Sequence, residues 1–408
     1  QLKAHYPQSM RYIAILLLTY GISFAADWPN WRGPAHTGIS AEPLPMADFS
    51  KIAWRAKIGV GFSSMAVAEG RVFALGCSGQ RQGNQETFHC LDAATGKPVW
   101  SDTYPAALVD YLHEGGPCAS PTVDGKRVYG VSKSGRLVCY DTATGKKHWT
   151  VDLMAKAELP RPPEWGFAAS PVVLGNLLIV EATFTCALDK TTGKEIWRSQ
   201  AYKPAYGSPI AFQFKNKTYL ATLKTDGLVI LDAANGKTVA FQDWRTSFRT
   251  NSTTPIIIGN KIFISTGYRR GCALYEFTGT DLREIYQNKN LSNHMNNSVV
   301  LGDYLYGFDG NTHMRGPKQL VCLRWADGTV QWRKDGYLCG SLVAVQNHLL
   351  VLGETGNLAL GPASPKAFNA TTEAPVLQGR CWTVPVLAHG RIYARNAAGD
   401  LVCVDARK

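Results

Sequence analysis

One ten-residue phrase, repeated down the chain, limits the folds open to it more than any other feature. LDAATGKPVW at Leu91 to Trp100 returns as YDTATGKKHW at Tyr140 to Trp149 and LDKTTGKEIW at Leu188 to Trp197, then more loosely as LDAANGKTVA at Leu231 to Ala240 and LRWADGTVQW at Leu323 to Trp332. With Asp92, Asp141, Asp189, Asp232, Glu276, Arg324 and Asp405 as equivalent marks, the spacing runs from 43 to 49 residues, with one double gap before the last. A period of roughly 45 residues is the length of one four-stranded unit, which cannot bury both faces alone and has to stack on its neighbours. The turn chemistry agrees. An alternating run such as FHCLD or RLVCYD reads as a strand, the Asp bonds back into the turn, the Gly takes a positive φ, and a Trp returns on the following strand.

Between these phrases the order of apolar strand, Gly turn, apolar strand, Gly turn recurs, in stretches such as SMAVAEGRVFALG, ASPTVDGKRVYGV, ASPVVLGNLLIV and TTPIIIGNKIFIS. Eight such stretches predict an all-β fold: an eight-bladed β-propeller of four-stranded antiparallel blades. Seven blades is the fallback if the weak stretch around Gly353 to Leu360 is an elaboration. KIAWRAKI, ending at Ile58, supplies one strand, whereas TVPVLAHGRIYARNAAGDLVCVD near the other end supplies three. The N- and C-terminal strands should therefore close the ring in one shared blade, leaving no open sheet end.

The pattern D-x-x-T-G-K-x-x-W is carried by Asp92/Thr95/Gly96/Trp100, Asp141/Thr144/Gly145/Trp149 and Asp189/Thr192/Gly193/Trp197. It resembles the tryptophan-docking repeat of the pyrroloquinoline-quinone (PQQ) propeller superfamily, which includes quinoprotein alcohol dehydrogenases and the BamB-like outer-membrane assembly factors. The opening ADWPNWRGPAHTGIS and the ending CWTVPVLAHGRIYARNAAGDLVCVDARK look like those of secreted PQQ-like repeat proteins of planctomycete-type bacteria. The resemblance covers nearly everything after residue 26 and implies the propeller fold. A docking repeat records packing, so function has to be argued from a site.

Residues 10–26, MRYIAILLLTYGISFAA, read as a secretory signal: a positive start at Arg11, an apolar run through Phe24, and small residues at Ser23, Ala25 and Ala26. The apolar run is short for a transmembrane span. The expected organisation is signal and upstream residues at 1–26, an extended segment lying on the ring at 27–51, and a single propeller at 52–408, in a periplasmic or secreted protein with no span after cleavage. With no Cys at the cleavage site, the lipid anchor expected of the assembly factors is missing.

The formal charge of +12 raises nucleic acid as a partner. Yet Lys97, Lys146, Lys194 and Lys237 hold the same turn position in successive repeats, so charge is spread around a rim and not gathered in a groove. No nucleic-acid partner is expected. Cys90, Cys139, Cys322 and Cys403 each lie two residues before a repeat mark, an interior position where a thiol packs as a small hydrophobe, so mostly free buried thiols are expected. Cys77, Cys118, Cys272, Cys339 and Cys381 could still pair.

Loops leading into the innermost strand of each blade open around the central channel, where convergent side chains can form a pocket. Those loops carry His113, Glu114, Glu164, Trp165, Arg249, Asn251, His294, Asn296, Asn297, Arg380 and Trp382 as candidate ligand-binding residues. In a functional reading Arg249 and Arg380 grip an anion while Trp165 or Trp382 stacks on a flat ligand; in a structural one the same groups satisfy loop backbone. Quinoprotein dehydrogenases, as the resemblance implies, need adjacent cysteines, a Ca²⁺ or lanthanide ion and an Asp base. This chain has no Cys-Cys pair, and its channel loops offer Glu114 and Glu164 but no Asp. No catalytic residue and no metal ligand is nominated, and no cofactor is expected. The expected function is a non-catalytic scaffold binding envelope proteins or peptides, with a PQQ-dependent alcohol or sugar oxidoreductase and a carbohydrate- or small-anion-binding module as alternatives.

Overall fold

The computed structural model describes residues 26–43, 48–79, 84–204 and 206–407, so the signal read at 1–26 lies, Ala26 apart, outside the described residues. Eight blades of four antiparallel strands stand around a channel, seven built from sequential strands at 66–105, 122–152, 172–198, 210–243, 256–288, 299–334 and 341–375 and the eighth from three strands at 386–405 and one from elsewhere, numbered here as blades 1 to 8. Blade 8 takes its outermost strand, Ile52–Lys57, from the N-terminal side, where Trp54 stands opposite Cys403. The weak stretch of blade 7 is a true third strand, Asn357–Pro362, so the count is eight. It looked weak because the docking turn is missing: the chain runs on through 363–371 before its outer strand, Thr372–Pro375.

The docking phrase works across the gap between blades. Asp141 Oδ1 accepts from the backbone N–H of Ala143 and Thr144 and from the Thr144 hydroxyl, which hold its carboxyl below the usual range. Gly145 then takes φ +71°, and the ring of Trp100 from the previous blade lies on it so closely that a Cβ would come within 2.6 Å. Trp100 Nε1 donates to Thr142 O at 2.9 Å. Trp54 lies in the same way on Gly96 and donates to Ala93 O, so the closing blade uses the same lock as blade 1.

The other two close copies of the phrase repeat this turn. Thr95 gives both its backbone N–H and its hydroxyl to Asp92 Oδ1, at 2.8 and 2.7 Å. Thr192 gives the same pair to Asp189 Oδ1, at 2.8 and 2.9 Å, and the added hydroxyl of Thr191 helps to hold the Asp189 carboxyl down at about 2. Gly193 follows at φ +72° with the Trp149 ring 2.9 Å from where a Cβ would stand, and Trp149 Nε1 donates to Lys190 O at 3.3 Å. Trp197 departs from the pattern in one respect. It lies on Gly236 as expected, but its Nε1 is buried without a hydrogen-bond partner. Thr95, Thr144 and Thr192 are exposed at the turns and Gly193 is packed under a ring, so these residues serve the joints between blades and none of them lines the channel mouth.

A second tie runs nearer the channel. The backbone N–H of Ser64 donates to Ser120 Oγ, that of Ser120 to Ser170 Oγ, and that of Ser170 to Ser208 Oγ, at 2.9 to 3.1 Å. On the far side Asn297 Oδ1 accepts from the Thr254 N–H, and Ser341 Oγ donates to Thr383 O. Buried backbone donors are thus satisfied between blades by short side chains.

In an antiparallel blade alternate connections land on the same end. The loops entering the innermost strands and those joining second to third strands therefore share one face. The docking turns, with exposed Lys97, Lys146, Lys194 and Lys237, occupy the other.

The segment after Ala26 crosses the ring. Trp28 pairs with Val67 in blade 1, Pro29 O accepts from Val123 N–H in blade 2, and Trp31 Nε1 reaches Thr254 Oγ1 beside blade 5 at 3.0 Å. The buried Arg32 donates to Ser298 O beside blade 6, and Ile39–Ser40 adds a short parallel strand to blade 7. Between residues 29 and 31 the chain passes from one side of the channel to the other.

Candidate functional site

The channel mouth opens into a cavity of about 1040 Å³, its open entrance included. Its walls are mainly rings. Phe62 stacks on Trp382 at 5.2 Å between centroids and meets His113 edge-on at 5.1 Å, and His113 stacks on Trp165 at 5.4 Å. On the other side Trp382 meets His313 at 5.6 Å, His313 meets His294 at 5.9 Å, and His294 meets Tyr268 at 5.1 Å. Six contacts link seven rings into a nearly continuous girdle. Trp31, Ser170, Ser208 and Thr254 also line the cavity, so the crossing segment and the serine belt both reach its wall.

Burial lowers all three imidazoles of this girdle. Burial pushes His113 down to about 4 and His294 down to about 3, helped in His113 by the nearby charge of Lys133. Burial lowers His313 as well, followed by Arg380 and Lys318. His294 is fixed from both ring nitrogens, Nε2 against the Tyr268 hydroxyl at 3.1 Å and Nδ1 against the Thr312 hydroxyl at 3.0 Å.

Of the residues read as candidates, His113, Trp165, His294, Asn296 and Trp382 line the cavity. Asn296 Nδ2 is spent on Gly340 O. Glu114 and Arg380 form an ion pair of 2.7 Å off the cavity wall, with the guanidinium 4.5 Å above the Trp382 ring. The expected grip of Arg249 and Arg380 on an anion does not form: Arg380 is committed to Glu114, and Arg249 is exposed and off the wall, at φ +51°. Glu164 is likewise exposed and off the wall. Asn251 and Asn297 are structural. Asn251 Nδ2 donates to the carbonyls of Lys224 and Trp244, and Asn297 brackets the backbone of Thr254 through both side-chain atoms.

Several wall residues escaped the sequence reading: Phe62, Cys118, Lys133, Tyr206, Thr250, Tyr268 and His313. Lys133, Tyr268 and His313 sit in loops joining second to third strands, which share the mouth by the alternation described above. All ten cysteines are free; nine are buried, and Cys118 on the wall is the exception.

No Asp or Glu lines the cavity, and no group of three His, Cys, Asp or Glu suited to a metal ion occurs among the described residues. A hard cation takes several oxygen ligands, so this donor set does not fit a calcium-assisted quinone centre.

A family model described as outer membrane protein assembly factor BamB matches residues 89–334, more than half of the chain. No curated protein matches. Among solved structures, BamB from Moraxella catarrhalis aligns with a TM-score of 0.62 at 16% identity, covering 86% of this chain and 100% of that one. Quinohemoprotein alcohol dehydrogenase from Comamonas testosteroni aligns at 0.64 and 13% identity, covering 94% and 81%. A europium-containing methanol dehydrogenase aligns at 0.64 and 10%, covering 93% and 89%. At such identities the structural likeness establishes the fold, which assembly factor and dehydrogenases share. The match across the repeats goes further: this chain belongs to the PQQ-like propeller family described as outer membrane protein assembly factor BamB.

Proposed function

We propose that this protein is a non-catalytic binding scaffold of the periplasm or cell envelope, and that it binds through the ring-lined cavity at the channel mouth. The observation that carries this reading is the aromatic girdle from Trp165 through Trp382 to Tyr268 around a cavity with no carboxylate on its wall. Stacked and edge-on rings present flat apolar area to a ligand, while Ser170, Ser208 and Thr254 offer hydroxyls at the inner end. The imidazoles of His113 and His313 add hydrogen-bonding capacity. A melting-temperature screen against monosaccharides and small aromatic compounds, repeated on Trp382→Ala, tests it. Stabilisation present in the wild type and lost in the variant supports the reading; no stabilisation by any member of either class counts against it.

A protein partner at the same mouth is a second reading, favoured by exposed apolar side chains around the rim. Tyr111 is 76% exposed, Phe248 62% and Leu112 49%. Family membership supports this reading, since the model that matches is that of an assembly factor.

A further inference from the structure

Among the described residues Lys133 is the one Lys or Arg on the cavity wall, and it is wholly buried. Its ammonium donates to Cys118 Sγ at 3.4 Å and forms no ion pair among the described residues. The stem is clamped. Gly166 packs so closely on it that a Cβ would lie 2.7 Å from the lysine Cδ, and Phe167 N–H donates to Lys133 O at 3.0 Å.

The carboxylate that acts on Lys133 electrostatically, Glu86, stays behind the wall. Its Oε2 accepts the Lys133 backbone N–H at 3.1 Å and its Oε1 accepts the Tyr104 hydroxyl. A second buried cation is Arg395. It donates only to the carbonyls of Gly59, Ser63 and Leu75, and its Nε has no partner. Neither of these two buried cations forms an ion pair with a carboxylate among the described residues. A buried charge with no counter-ion is costly, and an anion brought by a ligand removes that cost.

The rings beside Lys133 determine what carries the anion. His113, whose charge state Lys133 influences, stacks on Trp165 and meets Phe62, which stacks on Trp382. A flat ring lying against this wall places a directly attached carboxylate toward the ammonium. One cation on the wall suits one negative charge.

We propose that Lys133 anchors the ligand of this cavity, and that the ligand is a small monoanion built on a flat ring, in chemical class an arene carboxylate. The inference rests on the reading of the cavity as the binding site. Lys133 is a binding residue here and carries no catalytic role.

The test compares 1-naphthoate with its uncharged counterpart 1-naphthalenemethanol, read by quenching of tryptophan fluorescence and by melting temperature. The expected result is binding of the acid at least about tenfold tighter than the alcohol, with the difference abolished in Lys133→Met. In the wild type, methyl 1-naphthoate, the same ring with its anion capped, should bind as weakly as the alcohol, a readout that stands even where the variant folds poorly. Equal binding of acid and alcohol overturns the anchor while leaving the cavity as a binding site. A preference that survives Lys133→Met overturns it too by placing the anion elsewhere, and methyl 1-naphthoate that binds as tightly as the acid overturns it by leaving the charge no role. Binding of neither probe refutes the arene carboxylate class, and the sugar arm of the screen above then decides the cavity by itself.

Discussion

The backbone N–H of Ser120 donates to Ser170 Oγ at 2.9 Å, and each serine stands just ahead of the innermost strand of its own blade. The Ser120 hydroxyl in turn accepts from Ser64 N–H at 3.1 Å, so one residue links three blades through its side chain and its backbone. Ser120→Ala would strip a buried N–H of its acceptor, at a cost of about 1 to 3 kcal/mol. Chemical denaturation of the variant measures this; a loss under about half a kcal/mol would mean that water replaces the hydroxyl.

Gly145 carries two constraints at once, a φ of +71° and the Trp100 ring against its Hα. Gly145→Ala should therefore cost more than strain alone, about 2 to 4 kcal/mol, because ring and methyl cannot share the space. Gly125, at φ +52° with open space around it, is the control: Gly125→Ala keeps the strain, about 1 to 2 kcal/mol, and adds no clash.

The girdle histidines make the fold sensitive to acid. The unfolded chain takes up protons near 6.5, whereas folded His113 and His294 refuse them until about 4 and about 3. Stability is then fully present above 6.5 and declines as pH falls toward the folded values, by up to about 1.4 kcal/mol per pH unit for a ring kept wholly neutral. Melting curves between pH 7 and 4.5 test it, and His294→Gln should flatten them.

Glu86 works in the opposite direction. Burial pushes it up to about 7 from an ordinary 4.5, so the folded chain holds a proton that the unfolded chain has released. Its contribution is present below 4.5 and lost as pH rises through 7. Glu86→Gln should remove this opposing slope between pH 4.5 and 7 and so steepen the decline that the histidines cause as pH falls.

The repeat phrases made the blades legible because their turn chemistry is local. Asp141, Thr144 and Gly145 satisfy one another within five residues, and Trp100 needs only the next repeat. Blade 7 was hard to read for the same reason, since its outer connection abandons that chemistry. The site was half legible. His113, Trp165, His294 and Trp382 lie on the loops expected to converge, whereas Lys133 and His313 come from connections one strand further out. Nothing local marks Lys133 as buried: its surroundings are made by Cys118 and Gly166 from other loops. Arg380 misled because an Arg at a mouth reads as a free cation until its neighbour Glu114, 266 positions away in the chain, is placed beside it.

The crossing of residues 29 to 31 makes the N-terminal segment a spoke as well as a strap. With Pro29 O held by Val123 N–H and Trp31 held by Thr254, one short stretch joins opposite sides of the ring and stands in the wall of the same cavity as Trp165 and Trp382. A change at Trp31 would therefore be felt at once by distant blades and by the cavity between them.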